Sequence, residues 1–485
     1  MLAPTFQPRA RIDVAFCTVV LVLLVCQLFI PPALSVANDH DFEKILGRLC
    51  LGPVETAGPA YFDYAVPDYA YDPDSCIDWP MRTTNEAAFR AGLWLDHLFY
   101  SKGVFDLRFM GIVYGLIFFA GFVTLQRALR YLHTTLAIVA QIAWIVVTCN
   151  AVYVPMLNTL YFDALTFATL TGALASIGVV ALRRQAGAGS ILIASLWLAV
   201  LAGSKGQHAP MALLFVPALW IGCAGARVVS RKNAARIAGT AMVLAGAWLS
   251  ISTTPRFYPG EATFNALFYR ILPTVPNPKA SLAETRIPVS WAQYSGEVAF
   301  AEDVPLRDPY YEEQFGEWFG PAELFRLYLR HPAAAWLIAR ENLDEASMDR
   351  VRMRMSGVAH RLGNYEASPG RAPQSVSHFF TVWAAMKDAI FGDRPLVYLA
   401  YILIAVAFAW IAVPPGGPMR LLLAIVTAAL ALEFAISMLD GADGGRHLTL
   451  FGYLLDLLVC CDVVFAGRRF VLKPAASADR EHWRS

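Results

Sequence analysis

The sequence predicts an all-α polytopic membrane protein of about ten transmembrane helices, with two large extracytoplasmic segments that contain interfacial helices. Three observations predict it. The 485 residues are 57% hydrophobic and 16% charged. Their mean hydropathy is +0.48, a balance that suits a bilayer rather than water as solvent. Lys and Arg recur in every second connection between apolar stretches, which is the positive-inside pattern. The formal net charge of +1 points to no nucleic-acid partner, so the electrostatic information lies in where the charges sit.

A hydrocarbon core of about 30 Å is crossed by roughly 17–25 apolar residues. Such stretches run over 14–36, 109–126, 134–149, 161–182, 189–203, 209–226, 234–252, 395–413, 420–438 and 448–466, the third and fifth being short. Arg9 and Arg11 precede the first, Arg127 and Arg130 follow the second, and Arg183 and Arg184 follow the fourth. Arg227, Arg231, Lys232 and Arg236 follow the sixth, Arg420 opens the ninth, and Arg468, Arg469 and Lys473 follow the last. Both termini are therefore expected in the cytoplasm. The chain divides into a cytoplasmic N-terminus and first helix (1–36), a first extracytoplasmic loop (37–108), helices two to seven (109–252), a large extracytoplasmic segment (253–394), helices eight to ten (395–466) and a cytoplasmic tail (467–485). A cleaved signal peptide ending in Ala-Leu-Ser-Val-Ala at 33–37 is the alternative for the first stretch, whose apolar run is longer than a signal core usually is.

Cys17, Cys26, Cys149, Cys223, Cys460 and Cys461 lie in or beside spans, where Cys is an ordinary small apolar residue. Cys50 and Cys76 share the first outer loop, and an oxidising compartment would let them pair around about 25 residues. No metal-ligand spacing of cysteines is present.

Polar residues collect on the outer side. Asn38-Asp39-His40-Asp41-Phe42-Glu43 puts three carboxylates just beyond the first helix, a candidate acid/base site that competes with a plain solvated loop. Phe105-Asp106-Leu107-Arg108 opens the second helix and Asn158-Thr159-Leu160-Tyr161-Phe162-Asp163 the fourth. Ser204-Lys205-Gly206-Gln207-His208 joins the fifth to the sixth, and 440–447 precedes the tenth. Polar groups at that depth are costly unless they share a bundle interior or a wet cleft. Lys205 is a cation in a short loop on the side where cations are disfavoured, so it suits an anionic ligand or snorkels to lipid phosphate. Arg446, beside His447, suits an anion too, or an ion pair with Asp440 or Asp443.

In the long outer segment, 325–332 and 333–343 read as amphipathic helices lying on the membrane. Arg350, Arg352 and Arg354 alternate with Val351, Met353 and Met355, a pattern for lipid headgroups or for phosphate. No glycine-rich nucleotide loop, Walker motif or Ser-His-Asp or Cys-His signature occurs. Glu433, Asp456 and Asp462 are the acidic residues well inside spans, and their spacing forms no readable pattern.

Asn38-Asp39-His40-Asp41-Phe42, Phe105-Asp106-Leu107-Arg108, Asn158-Thr159-Leu160-Tyr161, Ser204-Lys205-Gly206-Gln207, Tyr328-Leu329-Arg330-His331-Pro332, Gly363-Asn364-Tyr365-Glu366 and Arg446-His447-Leu448 stand in an order that resembles the GT-C superfamily of membrane glycosyltransferases. Within it the chain is most similar to a bacterial branch associated with surface glycan synthesis. The resemblance covers most of the chain, although each motif is short. It implies a multi-pass protein of the bacterial inner membrane that transfers a sugar from a polyprenyl-phosphate donor to a glycan, lipid or protein acceptor on the extracytoplasmic face.

By that resemblance Asp39 or Asp41 is the base. Lys205, Arg446 and Arg108 hold the donor phosphate, and Asn158, Tyr161, Gln207, His208, His447 and Tyr365 contact substrate. Some superfamily members hold a divalent cation at the acidic motif. Asp39, Asp41 and Glu43 would be its ligands here, for Mg²⁺ or Mn²⁺, and no metal requirement follows. A flippase or exporter of lipid-linked glycans would also use phosphate-binding cations, but the polar groups are one-sided and no inverted repeat is visible. A non-catalytic envelope-assembly protein is the third reading.

Overall fold

A computed structural model describes residues 6–31, 33–36, 38, 41–54, 66–182, 186–221, 231–255, 257–347, 352–355, 358–361, 365–366, 379–439, 441 and 444–471. The first helix, α1 (Phe6–Leu28), turns Val14, Val22 and Val25 outward and buries Val20, Leu24 and Leu28. It ends at Leu28 rather than at 36, as the sequence had led us to expect. Pro31 and Pro32 supply no N–H to continue the ladder. The chain passes into a two-residue strand, β1 (Leu34–Ser35), which pairs with residues 365–366.

The first long connection folds on itself. The turn α2 (Glu43–Leu46) leads to β2 (Leu51–Pro53), β3 (Asp68–Tyr71), helix α3 (Asn85–Phe99) and β4 (Val104–Asp106). The three strands form an antiparallel sheet in the order β2-β3-β4 with Gly52 opposite Ala70 and Tyr69 opposite Phe105. A disulfide joins Cys50 to Cys76 beside it. Among its described residues this loop is thus a small mixed unit with one long helix.

The bundle continues with α4 (Arg108–Leu129), α5 (Thr134–Thr148), α6 (Asp163–Leu182) and α7 (Ala188–Ser204). The stretch expected to span 209–226 is not one helix. It breaks into α8 (Ala209–Leu214) and α9 (Val216–Leu219), because Pro217 has no N–H for the carbonyl of Leu213 and the Phe215 N–H closes a tighter turn onto Ala212. Then comes α10 (Arg231–Ser252).

The second long segment holds α11 (Phe257–Phe264), a π-helical stretch Asn265–Ile271, and α12 (Pro278–Ala283), α13 (Pro309–Trp318), α14 (Pro321–Arg330) and α15 (Pro332–Ser347). Aromatic residues give it a core of its own. Phe264 stacks on Phe268 at 4.3 Å between centroids, and both meet Phe315. On α14, Leu324, Leu327 and Tyr328 point into this core, while Phe325 and Leu329 stand exposed beside Arg326 and Arg330. The alternating Arg stretch forms a hairpin of β5 (Arg352–Met355) and β6 (Val358–Arg361), followed by β7 (Tyr365–Glu366). The period of two in that stretch is a strand period.

The chain closes with α16 (Val382–Phe391), α17 (Pro395–Ala412), α18 (Pro418–Ser437) and α19 (Gly444–Val471). Among the described residues seven helices are long and apolar enough to cross a membrane: α1, α4, α6, α10, α17, α18 and α19. With the shorter apolar helices α5 and α7 and the broken pair α8 and α9, they account for the expected stretches. α6 is the axis of the bundle: 83% of its apolar window is buried, against 22% for α17.

The bundle has two distinct ends. At one, the Arg9 guanidinium donates to the carbonyls of Leu129, Arg130 and Leu132. At the other, the two long segments meet: the Arg82 N–H donates to Thr253 Oγ1 at 2.8 Å, and Trp79 packs edge-on against Phe257. The candidate residues singled out from sequence that the structure describes lie toward this second end.

Candidate active site

Asn38 sets the geometry of the mouth. Its Oδ1 accepts the N–H of Phe42 at 3.1 Å, a bond that holds the chain entering α2. Asp41, next to Phe42, pairs with Lys44 one helical turn on. From the other long segment Tyr258 places its hydroxyl 3.5 Å from Asp41 Oδ1, and the Lys44 ammonium lies 4.2 Å from the Tyr258 ring centroid. Three residues further along α11, on the same helical face, stands Glu261. Burial pushes its carboxyl up to about 7. Lys44 and Arg307 oppose that rise, and the charges of Glu312 and Asp41 add to it. A carboxylate, a second carboxyl that titrates near neutrality and an ammonium therefore share one mouth.

Deeper, at the ends of α6, α7 and α18, a second cluster is closed to solvent. Lys205 Nζ donates to both carboxylate oxygens of Asp163, each at 3.1 Å. His208 lies between two carboxylates: its Nε2 is 3.0 Å from Asp163 Oδ1 and its Nδ1 is 3.2 Å from Glu433 Oε2. Burial alone would lower the His208 pKa. The Glu433 charge and the hydrogen bonds to both carboxylates outweigh it, so the ring is held above its ordinary value. Lys205 keeps 12% of its side chain exposed while His208 keeps 1%, so Lys205 is the more accessible of the two.

The two clusters are neighbours. Phe42, next to Asp41, packs edge-on against Tyr161 at 4.8 Å, two residues from Asp163. On the other side Gly206, next to Lys205, presses against the end of α10: a Cβ there would stand 2.9 Å from Thr254 Oγ1 and 3.1 Å from Ser250 O. Asn85 ties the same region together, donating to the carbonyls of Phe162 and Ser204 while its Oδ1 accepts from the Tyr114 hydroxyl.

The remaining residues singled out from sequence are placed variously. Arg108 makes a two-pronged pair with Asp106, whose own N–H donates to the buried Asp96. Asn158 donates to the carbonyls of Leu28 and Leu34 and so fastens the turn after α1. Tyr161 is buried against Phe42, Gln207 is half-buried beside Lys205, and His447 is buried at the start of α19. Glu43 is exposed. Asp39 and His40 lie outside the described residues, as do Asp440 and Asp443 and the side chains of Tyr365 and Arg446. Among the described residues no group of three or more His, Cys, Asp and Glu could hold a metal ion.

Sequence reasoning missed Glu261 and the role of Glu433. Glu261 follows an aromatic run with no charged neighbour in sequence to mark it, and Glu433 meets a histidine 225 positions away. The one available signal for Glu433 was its cost: a carboxylate inside an apolar span requires a partner.

No curated protein and no solved structure matches the chain. The family model of the YfdI N-terminal transmembrane domain matches residues 7–479, nearly the whole sequence. Seven apolar spans among the described residues, a buried polar cluster at one end and that match agree with one another: the chain belongs to the YfdI N-terminal transmembrane domain family, membrane proteins of the glycosyltransferase-like kind.

Proposed function

We propose that the protein is an inverting membrane glycosyltransferase that moves a sugar from a polyprenyl-phosphate donor to a cell-envelope glycan, lipid or protein acceptor on the extracytoplasmic face of the bacterial inner membrane. The observation that supports the reading is the meeting of Asp41 with Tyr258 and Lys44 where the two long segments come together, with Phe42 packed on Tyr161 two residues before Asp163, the partner of Lys205. In this reading the acceptor hydroxyl oxygen attacks the anomeric carbon and a carboxylate of the acidic motif, Asp39 or Asp41, takes its proton. The bond from the anomeric carbon to the phosphate oxygen breaks, and polyprenyl phosphate leaves with the electron pair. Lys205, with Arg446 and Arg108, offsets the charge that grows on that phosphate. Gln207, His447 and Tyr365 contact the substrate.

The test is glycan transfer in membranes carrying Asp39→Asn or Asp41→Asn, with a polyprenyl-phosphate sugar supplied. Loss of transfer in at least one variant, with protein level maintained, is expected. Full activity in both would end the assignment.

A further inference from the structure

We infer that Glu433, His208 and Asp163 form a charge chain that positions Lys205, with His208 held as an imidazolium in the bundle. The inference rests on the reading of Lys205 as a contact to the donor phosphate. Its geometry, however, is independent of that reading.

An ionised carboxylate can only accept hydrogen bonds, and a neutral imidazole has one donor and one acceptor nitrogen. Both ring nitrogens of His208 face carboxylate oxygens, at 3.0 and 3.2 Å. A neutral ring would turn a lone pair toward one of them. A ring with both protons donates to each. No other charged side chain of the described residues is paired with the ring.

The chain has a direction. Glu433 is closed off inside α18, with Oε1 accepting no hydrogen bond from the described residues, so its charge is available to the ring alone. His208 turns that charge toward Asp163 Oδ1, the same oxygen that Lys205 uses. Asp163 is therefore shared, and the Lys205 ammonium, on the more accessible side chain, is held by groups that are themselves more deeply buried. Thr166 and Ser204, hydrogen-bonded to each other at 2.8 Å, fix α6 against α7 one turn below. Asp163, His208 and Glu433 are positioning residues in this scheme.

Two measurements test it. In ¹⁵N-histidine-labelled full-length protein in lipid nanodiscs, with the His208 signals identified by their absence from His208→Gln, both ring nitrogens should carry protons at pH 7.5. A neutral ring there overturns the proposal whatever the protein's activity. Farnesyl phosphate binding is the second readout. Glu433→Gln, which keeps the volume, and His208→Gln should each weaken it about tenfold, as loss of a charged hydrogen bond does, with Lys205→Ala weakening it at least as much. Binding lost in Lys205→Ala but intact in Glu433→Gln and His208→Gln overturns the positioning role. Binding intact in Lys205→Ala removes the phosphate reading and with it the role, while the labelled ring still decides the imidazolium separately.

Discussion

Lys387 Nζ stands 3.4 Å from both carboxylate oxygens of Asp456, and neither side chain is exposed. The Tyr153 hydroxyl and the Trp383 indole N–H also donate to Asp456 Oδ2, at 2.7 and 2.8 Å. This pair ties α16, outside the spans, to α19 within them. Lys387→Met leaves an uncompensated carboxylate in the bundle and should cost about 3–5 kcal/mol, whereas Lys387→Met with Asp456→Leu should recover most of it. Thermal unfolding in detergent reads both. A double variant no more stable than the single one would show that the pair does more than neutralise itself.

That pair also shows what the sequence made legible and what it hid. Apolar length marked every stretch that became a bundle helix, because hydropathy acts locally and needs no partner. The breaks were local too, yet they were missed where proline chemistry outweighed composition, at Pro31 and Pro217. Asp41 stood out within its acidic run, and Lys205 as a cation in a short loop on the expected outer side, but their partners Lys44 and Asp163 were not read from the sequence. Glu433 and Asp456 looked patternless because their partners, His208 and Lys387, lie 225 and 69 positions away. Such pairing is decided by helix packing, which period and composition do not encode.

The covalent link between Cys50 and Cys76 spans a sequence separation of 26 and anchors the sheet of the first long segment. Chain-entropy arguments give such a loop about 3 kcal/mol. Cys50→Ser with Cys76→Ser should lower stability by that order. In the unreduced wild type, alkylation under denaturing conditions should label two fewer thiols than after reduction. Equal labelling would show that the two thiols are free in cells.

Close packing of α7 and α10 depends on Gly246. A Cβ at that position would stand 2.3 Å from the carbonyl oxygen of Ala199, a backbone atom that moves only with its helix. Gly246→Ala should therefore cost about 1–3 kcal/mol through overpacking. Gly178→Ala is the control: nothing lies within 4 Å of a Cβ there, so a helix gains rather than loses. Equal melting temperatures for the two variants would remove the packing argument.

Glu261 gives the mouth a pH signature whose sign can be worked out. Its carboxyl, ordinarily near 4.5, is raised to about 7 chiefly by burial. Between those two values the folded chain keeps a proton that the unfolded chain has released, so stability falls as pH rises through the window, and the loss is complete above it. Glu261→Gln holds no such proton and escapes the loss. The melting temperature of the Gln variant should therefore gain on that of the wild type as pH is taken from about 5 to 8. A difference that stays constant across the range would mean that Glu261 is ionised in the folded protein like an ordinary surface carboxylate, and it could not then share a proton with the acidic motif at neutral pH.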